Sequence, residues 1–214
     1  MLAPRVANLG VGGIGLAIAR RLGASRHLLV ADISPKSLEH AANNLTADGH
    51  DVETHTVDVI NYAAVQDFAP GVATDQASTQ KILDVNILGT ANFISTFQAR
   101  ATAQMSMVCI ASVASYFAGD VSPELERHLA LAPLDSLLGH EELKMARINL
   151  VSPGAVITAI GRAALAGPQV EYYCRQIEGA LMGRSGLVDE VASVVAFLAG
   201  PESLFVTGAD FFGG

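Results

Sequence analysis

Short apolar runs alternate with segments of helical periodicity along the first 59 residues. The runs lie at 5–10, 27–32 and 52–59, and the helical segments lie at 15–23 and 34–49. Ser34 and Pro35 are typical of the first positions of a helix, and a glycine ends each helical segment. This β-α-β-α-β order predicts a parallel sheet covered by helices.

The rest of the chain continues the same alternation. It predicts buried strands at 105–112 and 146–153, a last strand in "LFVTGADFFGG", and helices at 78–100, 168–182 and 187–200. No repeat, low-complexity tract or linker divides these elements. The pattern therefore predicts an α/β protein in which residues 1–214 form a single domain, built on a Rossmann-type, doubly wound parallel sheet.

Composition and charge exclude several classes of partner. Half of the residues are apolar and 16% are charged, which supports a sizeable core. The 13 basic and 21 acidic residues give a formal net charge of −8. We therefore expect neither nucleic acid nor a membrane surface as a partner, because both require clustered cations. No apolar run is long enough to cross a bilayer.

The two cysteines indicate a reducing compartment. Cys109 and Cys174 are isolated in the sequence, and neither has metal-ligand spacing around it. We expect both thiols to be reduced, and we expect no metal site. The first predicted strand begins too early to leave room for a signal peptide, so a cytoplasmic location is expected.

A glycine-rich turn, "LGVGGIG", follows the first strand and opens a helix. Gly10, Gly12 and Gly15 have the spacing G-x-G-x-x-G. Gly10 is expected to make the tight turn, Gly12 to let the backbone approach a pyrophosphate, and Gly15 to let helix and strand pack closely. The pyrophosphate would meet the N–H groups at the start of the helix. The turn therefore predicts dinucleotide binding.

Asp32, which ends the second strand, predicts which dinucleotide binds. Its carboxylate can accept hydrogen bonds from a ribose 2′-OH and would repel a 2′-phosphate. NAD is therefore expected as the cofactor, and NADP is less favoured. Lys36 lies close in sequence and keeps NADP open as an alternative.

From the first strand to the C-terminus, the chain resembles the short-chain dehydrogenase/reductase family. Two motifs would carry the chemistry: "DVNILGT" resembles the helix with the family's catalytic Asn, here Asn86, and "CIASVAS" resembles the strand end with its catalytic Ser, here Ser112. The resemblance implies that Ser112 donates a hydrogen bond to the substrate oxygen and that Asn86 supports a proton relay. The alternative for Ser112 is a cap on the following loop.

Other motifs would hold the cofactor. "INLVSPGAVIT" is similar to the family's R-V-N-x-(V/I)-x-P-G-x-(V/I)-x-T, and "VDV" resembles its third-strand signature. The glycine turn departs from the family's T-G-x-x-x-G-x-G, because Asn8 and Leu9 stand in place of Thr and Gly. The resemblance implies these contacts: Gly13, Ile14 and Gly15 in the turn, Asp58 and Val59 at the adenine, and Pro153, Gly154, Val156 and Thr158 beside the nicotinamide. Thr158 has the alternative role of starting a helix.

The family's catalytic Tyr-x-x-x-Lys pair is missing. None of the four tyrosines is followed four residues later by lysine. In the family the lysine lowers the pKa of the tyrosine, which passes a proton to or from the substrate oxygen. His140 with Lys144 is a less favoured substitute, because the segment around this pair is short and polar. We therefore expect that the helix with the Tyr-Lys pair is absent between Lys144 and Met145.

A second family element is missing from the sequence between Asp58 and Asn86, where no apolar strand is found. A central strand position left open would leave two rows of backbone groups unpaired, at roughly 1–3 kcal/mol for each buried group. We therefore expect two seams where internal segments are absent, near residues 67–75 and 143–147. Residues 120–143 are predicted to form a mostly helical lid on the substrate side, with a surface insertion as the alternative.

The resemblance implies an NAD(P)-dependent oxidoreductase that transfers hydride between nicotinamide and an alcohol or ketone. It also implies a homodimer or homotetramer, for which helix 187–199 and "LFVTGADFF" offer apolar surface. Two alternatives stay open. The first is a family member that binds a dinucleotide but is catalytically inactive and acts as a sensor or scaffold. The second is a structural interaction protein, which leaves the glycine turn and Asp32 unexplained.

Overall fold

The computed structural model describes residues 5–58, 89–91, 93–94, 97, 105–112, 146–168 and 170–213. The strands in these ranges are β1 (Arg5–Leu9), β2 (His27–Asp32), β3 (Asp51–Thr56), β4 (Ser106–Ile110), β5 (Arg147–Pro153) and β6 (Asp210–Gly213). The helices are α1 (Gly13–Leu22), α2 (Pro35–Ala47), α3 (Ala159–Leu165), α4 (Val170–Gly179) and α5 (Val188–Ala199).

The predicted bounds of these strands and helices agree with the structure to within a few residues, with one addition. Helix α3 was not among the predicted helices. Ser34 is the N-cap of α2 as predicted, and its hydroxyl accepts a hydrogen bond from the Ser37 N–H at 3.2 Å. The predicted lid at 120–143 lies outside the described residues, as do most of the predicted helix 78–100 and most of both seams.

The strands form two parallel three-stranded sheets, in the orders β1-β2-β3 and β4-β5-β6. Parallel neighbours put the carboxyl ends of all their strands at one edge of a sheet, which is where α/β proteins place their ligands. The glycine turn leaves β1 at this edge of the first sheet. The loop after Pro153 leaves β5 at the corresponding edge of the second sheet.

One face of the first sheet is covered by α1 and α2. Leu28 and Val30 alternate along β2 and are both fully buried on this face. Leu38, Ala41 and Leu45 recur at helical spacing along α2 and pack against them. The alternating apolar residues of β2 and the helically spaced apolar residues of α2 therefore pack into one apolar layer.

Helix α5 packs against both α1 and the second sheet. One buried cluster contains Ala17, Ile18 and Leu22 of α1, Val191, Ala192, Val195 and Leu198 of α5, Val151 of β5, and Val156 of the loop that follows β5. Val6 of β1 and Val108 of β4 pack against the same cluster. A single core therefore joins the two sheets into one Rossmann-type α/β domain.

The C-terminal end of α5 is held by a buried guanidinium. Arg147, at the start of β5, donates from Nη1 to the Leu198 carbonyl and to the Ser203 hydroxyl, both at 2.6 Å. Its Nη2 donates to the Gly200 carbonyl at 3.1 Å. The last carbonyl groups of a helix have no partner within the helix and carry partial negative charge. The guanidinium of Arg147 donates hydrogen bonds to these carbonyl groups and its positive charge balances theirs. It thereby ties α5 to the second sheet.

The N-terminal end of α5 is held by a carboxylate. Glu190 accepts a hydrogen bond from the Leu187 N–H at 2.8 Å, and its two oxygens pair with the two terminal nitrogens of Arg184 at 2.8 and 2.6 Å. The hydrogen bonds from Arg184, and then the one from Leu187, lower the pKa of Glu190 from 4.5 to about 2. An ionised Glu190 therefore stabilises the start of α5.

We expect the stabilisation from Glu190 to depend on pH. Because its pKa is lower in the folded state, the contribution is complete above pH 4.5 and is lost as the pH falls towards about 2. Glu190→Gln should therefore be less stable than the unchanged protein at neutral pH, and the difference should shrink through this window. Chemical unfolding at several pH values measures it. Glu178→Gln, on α4, is the control, and an equal pH trend in both variants would contradict this role for Glu190.

Candidate functional site

The glycine turn between β1 and α1 is shaped by two hydrogen bonds. The Gly10 N–H donates to the Ala31 carbonyl at 2.7 Å, which ties the turn to the end of β2. The buried Asn8 side chain donates from Nδ2 to the Gly10 carbonyl at 3.1 Å. Gly10 has a φ of +80°, a conformation that other residues rarely adopt. Asn8 stands where the family has Thr, and its side chain therefore stabilises the turn.

Gly12 and Gly15 differ in what surrounds them. A Cβ on Gly15 would lie 1.9 Å from the Gly10 carbonyl oxygen, so no side chain fits at this position. A Cβ on Gly12 would meet nothing within 4 Å, so open space lies beside the residue that immediately precedes α1. Gly15 thus serves close packing, and Gly12 leaves room for a ligand to approach the backbone.

Asp32 holds two segments at the end of β2. Its Oδ2 accepts a hydrogen bond from the Val11 N–H and its Oδ1 accepts one from the Ser34 N–H, each at 3.0 Å. A carboxylate has about four acceptor positions, so these two bonds leave capacity for a ligand hydroxyl. The carboxylate is therefore oriented by the glycine turn and by the start of α2.

The loop after β5 meets the glycine turn. A Cβ on Gly13 would lie 3.5 Å from both the Cβ and the Cγ2 of Thr158, which is ordinary van der Waals contact. The structure therefore brings together two sets of residues predicted to bind the cofactor: Gly10–Gly15 and Pro153–Thr158. This meeting depends on the core between α1 and α5, because the two segments belong to different sheets.

Thr158 also starts a helix, which was the alternative role for this residue. Its Oγ1 accepts a hydrogen bond from the Gly161 N–H at 3.0 Å, at the first turn of α3. The signal for α3 was therefore present, because a threonine before apolar residues is typical of a helix start. The side chain of Ile14 is partly buried and packs against the core shared by the sheets.

Ser112 lies at the same edge of the second sheet as Pro153. The Ala111 N–H donates to the Val151 carbonyl at 2.8 Å, which continues the parallel register of β4 and β5 to the residue before Ser112. Asp58 lies two residues beyond β3, at the carboxyl edge of the first sheet. The predicted residues Asn86 and Val59 lie outside the described residues.

Other chemistry is limited in the described part of the chain. Burial raises the pKa of the Cys109 thiol to about 11, so this thiol is protonated at neutral pH. Cys109 and Cys174 are both free. Within the described residues no group of His, Cys, Asp and Glu side chains could hold a metal ion. Among the helices of those residues, none is long and apolar enough to cross a membrane.

Comparisons with known proteins agree with this architecture. The model of a family described as enoyl-(acyl carrier protein) reductase matches residues 59–212. The short-chain dehydrogenase/reductase bsc3 of Alternaria brassicicola is 29% identical, over an alignment that covers 94% of this chain and 91% of the relative.

Solved structures share the fold along almost the whole chain. A short-chain dehydrogenase from Mycobacterium paratuberculosis bound to NAD superimposes with a TM-score of 0.79 at 18% identity, covering 99% of this chain and 96% of its own. Actinorhodin polyketide ketoreductase with NADPH has a TM-score of 0.78 at 21% identity, with 99% and 97% covered.

The two parallel sheets and the glycine turn at their carboxyl edge define an α/β protein of the Rossmann type. The family-model match over residues 59–212 and the alignment of 94% of the chain with a short-chain dehydrogenase/reductase together identify the family. The chain belongs to the short-chain dehydrogenase/reductase family, which is a family of oxidoreductases.

The alignment with the Alternaria relative also bears on the missing segments. It extends over 249 positions but contains only 94% of this chain, about 201 of its 214 residues, so about 48 aligned positions hold no residue of this chain. The alignment therefore agrees with the expectation that internal family segments are absent here.

We expect a substitution at Gly15 to lower the stability of the protein more than one at Gly12. Gly15→Ala should lower the free energy of unfolding by about 1–3 kcal/mol, because the new methyl group overlaps the Gly10 carbonyl. Gly12→Ala should cost less than about 1 kcal/mol, because its methyl group enters open space at a helix N-cap. Urea unfolding measures both, and a Gly15→Ala variant as stable as Gly12→Ala would contradict the close contact.

Proposed function

We propose that the protein is an NAD-dependent oxidoreductase that acts on an alcohol or a ketone. The observation that carries the proposal is the position of Thr158 beside Gly13, where a Cβ on Gly13 would be in van der Waals contact with the threonine side chain. It supports a single cofactor groove, in which the glycine turn and Asp32 lie on one side and the loop after β5 on the other. When bound, the nicotinamide ring of NAD supplies or accepts a hydride.

The residues of the groove fit a dinucleotide. The open space beside Gly12 lies at the start of α1, where the first N–H groups of a helix favour an anion such as a pyrophosphate. Asp32 would bond the adenosine ribose and Asp58, with Val59, would meet the adenine. Pro153, Gly154, Val156 and Thr158 would line the nicotinamide end, with Thr158 close to Gly13.

The substrate would lie at the carboxyl edge of the second sheet. Ser112 would donate a hydrogen bond to the alcohol or ketone oxygen and so orient it, and Asn86 would support a proton relay. The acid that completes the family's chemistry is a tyrosine paired with a lysine, and the sequence contains no such pair. The alternative, in which the protein binds the dinucleotide without turnover as a sensor or scaffold, is consistent with that absence.

Turnover separates these two functions. The purified protein is mixed with NAD and a panel of secondary alcohols, and NADH absorbance is followed. NADH formation that Ser112→Ala abolishes supports the oxidoreductase. Dinucleotide binding without turnover on any alcohol, or on any ketone in the reverse direction, supports the sensor or scaffold. No dinucleotide binding at all would overturn both proposals.

Asp32 should make the protein prefer NAD(H) to NADP(H). Its carboxylate is held in place by Val11 and Ser34, so it would meet a 2′-phosphate as a fixed like charge. We expect NADH to bind at least about tenfold more tightly than NADPH in calorimetry. Asp32→Ala should narrow the difference. Tighter binding of NADPH by the unchanged protein would contradict this role, and Lys36 would then be the residue to test.

We also propose that the protein forms a homodimer or homotetramer in the cytoplasm, where its two free cysteines would stay reduced. Leu204, Phe205 and Phe212 are exposed large apolar side chains near the C-terminus, and Phe205 is fully exposed. Exposed apolar surface of this kind commonly marks an interface between subunits. Light scattering should give a mass at least twice 22.2 kDa, and a monomer at micromolar concentration would contradict the proposal.

A further inference from the structure

Tyr173 connects the helix pair α3–α4 to the loop that would line the nicotinamide end of the groove. Its side chain extends from α4, and its hydroxyl donates a hydrogen bond to the Val156 carbonyl at 3.2 Å. Val156 itself lies in the loop between β5 and α3. The tyrosine therefore bonds a segment that lies 17 residues earlier in the chain.

The packing at Gly161 shows that this hydroxyl occupies a close-fitting position. A Cβ on Gly161 would lie 2.7 Å from the Tyr173 hydroxyl and 2.6 Å from the Val156 carbonyl oxygen. Both distances are shorter than ordinary van der Waals contact. Glycine at this position of α3 therefore leaves the space in which the Tyr173 hydroxyl meets the carbonyl.

The loop around Val156 is held from three sides. On one side it pairs with Gly186, since the Ile157 N–H donates to the Gly186 carbonyl at 2.9 Å and the Gly186 N–H donates to the Ala155 carbonyl at 2.8 Å. On a second side Thr158 contacts the glycine turn. On the third side the Val156 carbonyl accepts from both the Thr158 N–H, at 2.9 Å, and the Tyr173 hydroxyl.

These contacts differ in what they connect. Gly186 lies just before α5, the helix whose core joins the sheets, whereas Tyr173 belongs to α4, whose main contact among the described elements is with α3. The hydrogen bond of the Tyr173 hydroxyl is thus a polar link between α4 and the loop. Loss of the hydroxyl would free the Val156 carbonyl from one of its two donors and leave α3 and α4 less tightly fixed over the loop.

We propose that Tyr173 is a positioning residue for the nicotinamide end of the cofactor. Through the Val156 carbonyl it fixes the backbone from Val156 to Thr158, the segment that would contact the nicotinamide ring and its carboxamide. Tyr173 acts through the loop and contacts neither cofactor nor substrate in this role. The inference rests on the proposed dinucleotide groove and adds to it the residue that holds one end in place.

The test compares NADH with ADP-ribose, which carries the adenosine and both phosphates but no nicotinamide. Tyr173→Phe keeps the aromatic ring and removes only the hydroxyl. Calorimetry should show NADH binding weakened by roughly two- to tenfold, the range expected for one neutral hydrogen bond, with ADP-ribose binding unchanged. A tyrosine that only stabilises the fold would lower the melting temperature and leave the ratio of the two affinities unaltered.

Gly161→Ala provides a second variant by a different route. Alanine favours a helix over glycine, so any weakening must come from its methyl group displacing the Tyr173 hydroxyl or the Val156 carbonyl. Gly161→Ala should weaken the binding of NADH and leave the binding of ADP-ribose unchanged, as expected for Tyr173→Phe. Gly179→Ala is the matched control, because a Cβ at the end of α4 would meet nothing within 4 Å. It should change neither affinity.

The outcomes separate this inference from the proposed function. If the unchanged protein binds neither NADH nor ADP-ribose, the dinucleotide groove itself is wrong. If it binds both, and Tyr173→Phe weakens both equally or neither, the groove stands and the positioning role of Tyr173 is overturned. Selective loss of NADH affinity in Tyr173→Phe and Gly161→Ala supports the inference.

Discussion

The packing of α1 against α5 is the interaction on which the candidate site depends. The glycine turn belongs to the first sheet, and the loop after β5 belongs to the second. Both are predicted to contact the cofactor, but they meet only because the apolar faces of α1 and α5 share one core above β1 and β4. Arg147 ties the C-terminal end of α5 to the second sheet, and Glu190 stabilises the N-terminal end of the helix. The contact between Gly13 and Thr158 follows from this core.

Around that contact, the site is organised mainly by backbone geometry. The φ of Gly10 and the absence of a side chain on Gly15 let the turn fold closely onto itself. Asp32 accepts two backbone hydrogen bonds and so becomes a fixed charge at the end of β2. A groove of fixed backbone groups costs little reorganisation when it binds a ligand, which favours affinity.

The chain belongs to the short-chain dehydrogenase/reductase family and yet lacks a Tyr-x-x-x-Lys pair, and the comparison of lengths suggests a reason. The alignment with the Alternaria relative leaves about 48 positions without a residue of this chain. Absent internal segments would account for both the missing pair and the lack of an apolar run in the sequence between Asp58 and Asn86. The motifs predicted to contact the cofactor are present in the sequence on both sides of those segments, whereas the Tyr-x-x-x-Lys pair is not.

The sequence by itself determined the strands, most helices and the glycine turn, because each depends on local periodicity or on a conformation that only glycine adopts readily. Family motifs then supplied the candidate residues at the strand ends. Tertiary structure decided what no local pattern contains: that Asp32 is bonded by Val11 and Ser34, that Thr158 contacts Gly13, and that the Tyr173 hydroxyl reaches Val156. Each of these contacts joins segments whose distance is set by how helices pack, and packing depends on the whole core.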